Sequence, residues 1–337
     1  MFKLIKKIFK VSKIVLCKPK GWFDFLLDIF SFKVRSSYIL GKPVHLTIEP
    51  VNLCNLQCPV CETGAGILNR PKGRMNLDNF KKIIDQVYSF VNTILFYYMG
   101  EPFLNKDSYE MIKYAKSKNI FVTTCTNGDV IDPEKLVESG IDEVSFQTAG
   151  ITQETHSKYR VGSNLQKILD NVRKTVAEKK RRNVSLPKII LGFIIMKHNE
   201  HEVAKFYQLA KDLEVDEAQI LPPCVRNIEQ ARGMLPSDEK YWLYDRAAFE
   251  KGVLRPKAVS NNKSCPWIWY STLLTWDGNV LPCCRDAQGE YVMGNIFQEN
   301  LVKIWNNKIY REFRKKFLDG KTMLCSLCQG YGIIELK

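Results

Sequence analysis

The chain has 337 residues, of which 45% are hydrophobic, so it is long enough for one large globular domain with a smaller appendage. Eleven cysteines in a chain of this size, with no secretory signal sequence, argue against an extracellular disulfide scaffold and favour metal-binding thiols in a reducing cytoplasm. The formal charge is +14, but the sequence contains no nucleic-acid-binding motif, so we expect no nucleic-acid partner.

Half of this positive charge lies at the amino-terminal end of the chain. Residues 1–36 contain nine Lys or Arg residues against two Asp residues, a net charge of +7. The stretch FKLIKKIFKVSKIVL has the period of a helix with lysines on one face and apolar residues on the other. After a break at Pro19, the stretch WFDFLLDIFSF repeats the pattern. Its predicted polar side consists of Asp24, Asp28 and Ser31.

Neither stretch has the run of apolar residues that is needed to span a bilayer. A basic amphipathic helix can instead lie in the membrane interface, with its lysines near anionic lipid. We therefore expect residues 1–40 to form an extension that contacts a membrane surface, with packing against the protein itself or a partner as the alternative.

From residue 43 onward, short apolar runs alternate with longer stretches of helical period. The predicted strands are residues 44–50, 93–98, 120–125, 143–147, 188–195 and 217–223. The predicted helices between them are residues 76–91, 107–118, 133–140, 164–182 and 200–213. Strands that alternate with mostly helical connections predict parallel β/α units, whose chemistry lies at the carboxyl ends of the strands.

Three cysteines follow the first predicted strand in the sequence CNLQCPVC: Cys54, Cys58 and Cys61. Thiolates at this spacing can ligate three irons of a 4Fe-4S cluster and leave the fourth iron open. A structural zinc site normally needs a fourth Cys or His nearby, and the nearest histidine, His45, lies at the other end of the strand. The three thiols are therefore predicted to hold a cluster at the mouth of the sheet.

This motif resembles the CxxxCxxC signature of the radical S-adenosylmethionine (SAM) enzymes. In that family SAM chelates the open iron, and its reductive cleavage gives a 5′-deoxyadenosyl radical that abstracts hydrogen from the substrate. The resemblance implies an α/β fold in which residues 41–225 form a partial (β/α)6 TIM barrel. It also implies a SAM-binding 4Fe-4S cluster and a flavodoxin or ferredoxin as electron donor.

Elements after the later strands are similar to SAM-binding elements of the same family. The sequence YMGEP resembles the GGEP element that holds the amino group of SAM, with Met99 in place of the first glycine. Val60 also departs from the family, where many members have an aromatic residue that packs on adenine. The resemblance predicts SAM-binding roles for Met99, Gly100, Glu101, Pro102, Asn127, Ser145 and Arg160.

A second cysteine group lies near the carboxyl end of the chain. Residues 265–283 predict a strand, an Asp-Gly hairpin turn and a second strand, and residues 299–320 predict a helix that leads to the sequence CSLC. This arrangement resembles the SPASM/twitch appendage of the radical SAM family, which binds an auxiliary 4Fe-4S cluster. The implied domain is residues 263–337, after a linker of residues 226–262. Its predicted ligands are Cys265, Cys283, Cys325 and Cys328, with Cys284 as an alternative to Cys283 and a zinc ribbon as the alternative site.

Within the family, the cysteine spacing most resembles that of the dehydrogenases that oxidise 2-deoxy-scyllo-inosamine. We expect a cytoplasmic enzyme, in contact with the inner face of the membrane, that dehydrogenates a small-molecule, carbohydrate or lipid-linked substrate with the auxiliary cluster as electron acceptor. A radical epimerase with Cys125, Cys224 or Cys284 as hydrogen donor, a peptide-modifying maturase and a non-catalytic iron–sulfur scaffold are the alternatives. The sequence identifies no catalytic acid or base.

Overall fold

The structure is a computed structural model that describes residues 19–257 and 265–322, together with Leu324 and Cys328. The predicted basic helix near the amino terminus and the predicted ligand Cys325 lie outside the described residues. The strands are β1 (His45–Ile48), β2 (Thr93–Leu95), β3 (Phe121–Thr126), β4 (Glu143–Thr148), β5 (Lys188–Ile194), β6 (Glu217–Leu221), β7 (Ser271–Leu274), β8 (Asn279–Leu281) and β9 (Gly294–Asn295).

Helices connect most of these strands. They are α1 (Pro19–Lys33), α2 (Leu77–Val87), α3 (Ser108–Ser117), α4 (Pro133–Glu138), α5 (Gln153–Ser157), α6 (Leu165–Arg181), α7 (Val203–Asp212), α8 (Ile228–Met234), α9 (Arg246–Glu250), α10 (Trp267–Tyr270), α11 (Leu301–Trp305) and α12 (Lys308–Leu318). Short 3-10 turns cover Pro102–Leu104, Glu200–Glu202 and Glu239–Tyr241. The six strands and five connecting helices predicted for the first part of the chain are confirmed, with shifted ends.

Within the described residues, nine strands form one sheet in the order β6-β5-β4-β3-β2-β1-β7-β8-β9. The strands from β6 to β7 are parallel, whereas β8 and β9 are antiparallel to their neighbours. The sheet does not close on itself, since β6 and β9 are its two outer strands. This is the partial barrel that the sequence predicts.

The two faces of the sheet differ in polarity because side chains alternate along each strand. Leu46, Ile94 and Val122 lie on the outward face and are fully buried with the apolar side of α2 in the hydrophobic core. The opposite, concave face carries smaller and polar side chains, including the paired Cys125 and Ser145. Helices therefore cover the apolar face, and the concave face is left for a ligand.

The carboxyl-terminal hairpin is part of the same sheet. Strand β7 pairs in parallel with β1, with Leu273 beside Thr47, and β8 returns after a turn at Gly278, whose φ is +84°. The hairpin prediction is confirmed, but its first strand is shorter than expected because residues 267–270 form a helical turn. The predicted helix of residues 299–320 is divided into α11 and α12, and Asn307 caps the second of them.

Helix α1 packs against the protein through its polar side, so part of its apolar side faces solvent. Its polar side faces the protein: Asp28 and Ser31 are fully buried, while Phe23 and Phe30 are exposed. Neither carboxylate oxygen of Asp28 has a hydrogen-bond partner, and burial, with the nearby Asp24, raises the pKa of Asp28 to about 9. This carboxyl group is therefore neutral at pH 7, which lets it remain buried without a cation in contact.

We expect the Asp28→Asn variant to be more stable than the wild type, by an amount that grows as the pH rises. Protonation of Asp28 persists in the folded protein up to about pH 9, whereas an unfolded aspartate ionises near pH 4, so the wild-type free energy of unfolding falls between these values. The neutral amide removes this loss, and the variant should gain up to about 1.4 kcal/mol per pH unit over the wild type. Denaturant unfolding at several pH values measures the gain, and the exposed Asp319→Asn is the matched control. A gain that does not change with pH contradicts the buried, neutral carboxyl group.

Candidate functional site

The first cysteine group lies in the long loop between β1 and α2. Cys58 is buried and Cys54 and Cys61 are half-buried, and all three are free thiols. Burial raises the pKa of Cys54 to about 11 and also raises the pKa of Cys58, so both thiols are protonated unless a cation stabilises the thiolates. Bound iron would supply that charge, since a coordinated thiol is deprotonated.

The loop is shaped by two glycines that leave no room for a side chain. A Cβ on Gly64 would lie 2.5 Å from the backbone nitrogen of Cys58. Gly100, after β2, has a φ of +124°, and a Cβ there would lie 2.6 Å from the carbonyl oxygen of Val51 and 2.7 Å from that of Leu53. The backbone after β2 therefore packs directly against the segment that leads into the first cysteine.

Glu101 joins this assembly to the end of β3. Its backbone nitrogen donates to the carbonyl of Leu53 at 2.8 Å. Its buried carboxylate accepts from the Thr126 hydroxyl at 2.8 Å, from the Asn127 backbone at 2.8 Å and from the Phe103 backbone at 3.3 Å. Burial raises the pKa of Glu101 to about 7, although these hydrogen bonds oppose the shift. A carboxylate has about four acceptor positions, so one remains for a ligand such as an ammonium group.

Asn127 and Arg160 contact the cysteines directly. The side-chain nitrogen of Asn127 donates to the Asn55 side chain at 2.8 Å and lies 3.9 Å from the sulfur of Cys54. Arg160 Nη1 lies 3.9 Å from the sulfur of Cys58. Its Nε is buried and has no hydrogen-bond partner. An unpaired guanidinium nitrogen beside the triplet fits the carboxylate that SAM would bring to the open iron.

The remaining predicted SAM-binding residues surround this centre at a greater distance. Met99 is half-buried just before Gly100, and Pro102 begins the turn that follows. Ser145 lies on the concave face, where its hydroxyl accepts from the Gln147 side chain at 2.6 Å. Among the described residues Ser145 forms no hydrogen bond to the cysteine triplet, so the structure places it only on the same face.

The second cysteine group combines segments from either end of the hairpin. Cys283 and Cys284 follow β8, and the Cys283 thiol donates to Cys284, which together with burial raises the pKa of Cys283. Cys265 precedes α10, and Cys328 lies close enough to Cys283 for their charges to interact. All four side chains are half-buried. Cys283 and Cys284 both follow β8 and are half-buried, so both remain candidate ligands.

The described members of the two cysteine groups do not form a site for one metal ion. No three Cys, His, Asp or Glu side chains within the described ranges converge on such a point. A 4Fe-4S cube presents its irons at separate corners, so its thiolates do not need to converge.

Three residues that the sequence analysis missed connect the two cysteine groups. Arg70 forms a bidentate salt bridge with the buried Glu49, at 2.9 and 2.6 Å, and its Nε donates to the carbonyl of Ala287 at 2.7 Å. Tyr98 lies beside this pair, and its buried hydroxyl has no hydrogen-bond partner. Burial, followed by the nearby Cys284, raises the pKa of Tyr98 well above its usual value. Two of these residues had a signal in the sequence: Glu49 is a charge directly after β1, and Arg70 is an arginine in the cysteine loop.

Comparison with known sequences identifies two families along this chain. The model of the radical SAM superfamily matches residues 48–210, and that of the SPASM iron–sulfur cluster-binding domain matches residues 265–329. The chain is 25% identical to the AdoMet-dependent heme synthase of Methanosarcina barkeri over 317 residues, which cover 82% of this chain and 87% of the relative.

Two solved structures share the fold at low sequence identity. BtrN in complex with AdoMet and 2-DOIA is 20% identical, with a TM-score of 0.51 over 84% of this chain and 91% of that one. Streptococcus suis SuiB bound to the precursor peptide SuiA is 15% identical, with a TM-score of 0.62 over 90% of this chain and 74% of that one. Both likenesses concern the fold.

We expect Gly100→Ala to impair iron binding at the first cysteine group. The added Cβ would collide with the carbonyls of Val51 and Leu53, so the loop that carries Cys54 must move. Iron and acid-labile sulfide, measured after anaerobic reconstitution, should fall from about eight to about four of each per chain, since a second cluster remains. Gly66→Ala is the matched control, because Gly66 also has a positive φ in this loop but has no atom near its Cβ position. Equal iron content in both variants contradicts the role of this packing.

Proposed function

Because this chain is a radical SAM enzyme with a SPASM domain, we propose that it dehydrogenates a substrate bound on the concave face of its sheet. The two families confirm the cofactors expected from the sequence, which are SAM with its 4Fe-4S cluster and an auxiliary iron–sulfur cluster. When bound, these groups supply a 5′-deoxyadenosyl radical and an acceptor for one electron. Because both families match, we no longer consider the two alternatives from the sequence analysis, a non-catalytic scaffold and a zinc ribbon.

The proposal depends on one observation, which is that separate loops meet around the cysteine triplet. Asn127, after β3, and Arg160, after α5, each lie 3.9 Å from a cysteine sulfur. Glu101, after β2, donates its backbone N–H to the carbonyl of Leu53, in the segment that leads into the first cysteine. We propose that Cys54, Cys58 and Cys61 ligate the first cluster. Arg160 then pairs with the SAM carboxylate, and Glu101 accepts a hydrogen bond from the SAM ammonium group.

The second cysteine group supports an oxidative outcome. We propose that Cys265, Cys325, Cys328 and one of Cys283 and Cys284 hold the auxiliary cluster. The salt bridge of Glu49 and Arg70 joins the end of β1 to the segment after β8, so both cysteine groups are held by the same rigid contacts. In the dehydrogenation the substrate would lose one hydrogen as an atom and one as a proton, and an auxiliary cluster held by these residues would supply the acceptor for the remaining electron.

The location of Cys224 favours a second candidate reaction. This thiol follows β6 and is close enough to interact electrostatically with Arg285, with Glu62 beside the first cysteine group, and with Cys284 in the second. A thiol between the two groups is placed to return a hydrogen atom to a substrate radical. That return would invert a stereocentre without oxidising the substrate, as in an epimerase, and the thiyl radical left on Cys224 would be reduced by one proton and one electron from the flavodoxin or ferredoxin donor.

The substrate class stays a proposal, and we favour a small carbohydrate-like or lipid-linked molecule. The fold shared with BtrN, whose structure holds 2-DOIA, supports a small molecule. The fold shared with SuiB, whose structure holds a precursor peptide, supports a peptide as the competing class. The predicted flavodoxin or ferredoxin supplies the reducing electron in each case.

Reduction of the reconstituted enzyme with SAM tests the catalytic centre. We expect the wild type to release 5′-deoxyadenosine and Cys58→Ala to release less than a hundredth as much, because three thiolates are needed to leave one iron open. Cys224→Ala is the control, since this thiol is not a predicted cluster ligand. Equal release by Cys58→Ala and the wild type contradicts the assignment of the triplet.

Mass spectrometry then separates the reactions and the substrates. Lipid, glycan and peptide fractions are compared between cells with the wild-type enzyme and cells with Cys58→Ala. Dehydrogenation predicts a compound lighter by two hydrogens only with the wild type. A product of unchanged mass in ordinary water, which gains one deuterium in deuterated water, supports epimerisation instead. This deuterium should be absent from the product of Cys224→Ala.

A further inference from the structure

Helix α1 presents a continuous apolar surface to solvent. Phe23, Leu26 and Phe30 are 64%, 51% and 54% exposed, and their spacing places them in one row along the helix. We call these three residues the outer stripe. Val34, Tyr38 and Leu40 extend the exposed apolar surface beyond the helix, each at more than half of its full exposure. Single exposed apolar residues are ordinary, but six within eighteen residues form a patch that is typical of an interaction site.

The outer stripe cannot turn inward, because the other side of α1 is fixed to the protein. Phe25 packs against Tyr270 with ring centres 5.6 Å apart, and Phe32 packs against Trp269 at 5.2 Å. The Ser31 hydroxyl donates to the carbonyl of Leu27 at 2.7 Å and accepts from the Leu40 backbone at 3.1 Å. The exposure of the stripe is therefore a property of the folded helix.

The charges of this region complement the apolar surface. The only acidic residues in residues 1–36 are Asp24 and Asp28, against nine Lys or Arg residues. Asp28 is fully buried, and Asp24 faces inward, where it accepts from the Lys42 backbone at 3.1 Å. In the described part of this segment, the outer stripe, Lys33 and Arg35 are therefore exposed, whereas Asp28 is buried and Asp24 is half-buried.

We propose that the outer stripe binds the surface of an anionic lipid bilayer. The apolar side chains enter the interface, while Lys and Arg residues of the same segment lie near lipid phosphates, which attract them electrostatically. No helix in the described ranges is long and apolar enough to cross a membrane. A second copy of this chain would bury the apolar patch but would bring its positive charges together.

The attachment lies at the opposite end of the strands from the cysteine triplet. Gly21 of α1 packs against the carbonyl of Phe90, just before β2, and Phe25 packs against Tyr270, just before β7. These contacts place α1 at the amino ends of parallel strands, whereas Cys54 follows the carboxyl end of β1. Membrane attachment therefore leaves the mouth of the sheet open to the cytosolic side, and it does not by itself require a lipid-linked substrate.

Vesicle flotation with the full-length, reconstituted enzyme tests this proposal. Vesicles of phosphatidylcholine alone are compared with an equal mixture of phosphatidylcholine and phosphatidylglycerol, at low and at physiological salt. We expect the wild type to bind the anionic vesicles and the triple variant Phe23→Ser, Leu26→Ser, Phe30→Ser to bind them at least tenfold more weakly. A triple variant at exposed apolar positions elsewhere, Val184→Ser, Tyr207→Ser and Ile309→Ser, should bind like the wild type.

Two further measurements, of 5′-deoxyadenosine release and of the oligomeric state, show whether a loss of vesicle binding is due to the outer stripe itself. Release of 5′-deoxyadenosine should be unchanged in the outer-stripe variant, which shows that the protein is folded and that the test does not depend on the reaction proposed above. Equal vesicle binding by this variant and the wild type, or no binding by either, overturns the proposal. A wild-type dimer that becomes monomeric in the variant, without vesicle binding, assigns the stripe to a second copy and also overturns it.

Discussion

The close approach of Gly100 to the carbonyls of Val51 and Leu53 is the contact on which the site depends. It lets two motifs that are about forty residues apart in the sequence act as one unit, because the backbone after β2 supports the loop that carries the cysteines. Glu101 extends the unit to the end of β3 through its buried carboxylate. The residues that would bind SAM are thus positioned by backbone and buried hydrogen bonds rather than by flexible surface side chains.

A second link keeps the two cysteine groups in a fixed relation. The Glu49–Arg70 pair is nearly inaccessible to solvent, and a buried ion pair of this kind is costly unless its hydrogen bonds are satisfied. Here both carboxylate oxygens accept from the guanidinium, and its remaining nitrogen donates to Ala287. We therefore explain this ion pair by the position that it fixes and not by a gain in folding free energy. It joins the first loop to the segment that carries Cys283 and Cys284.

Local patterns predicted most of the fold and part of the site. Alternating apolar runs identified β1 to β6, because strands buried on one side by helices are short, continuous and bounded by turns. Cysteine spacing and the YMGEP element identified the triplet and its support. The partners Arg70 and Tyr98 were missed because their roles depend on contacts with residues more than a hundred positions away. Periodicity also identified the two faces of helix α1, but it could not show which face the protein covers, because that depends on packing with distant residues such as Trp269 and Tyr270.

The parallel pairing of β7 with β1 has a consequence for how the chain can be divided. Every backbone group that β1 would offer along this side is paired with the carboxyl-terminal hairpin. A chain ended before residue 265 would leave β1 as an open edge strand, with unpaired amides and carbonyls next to the buried Leu46 and Ile48. Such an edge is a template for aggregation. The barrel and the carboxyl-terminal hairpin are thus one folding unit, so the segment that carries the second cysteine group cannot be removed or exchanged as a separate module.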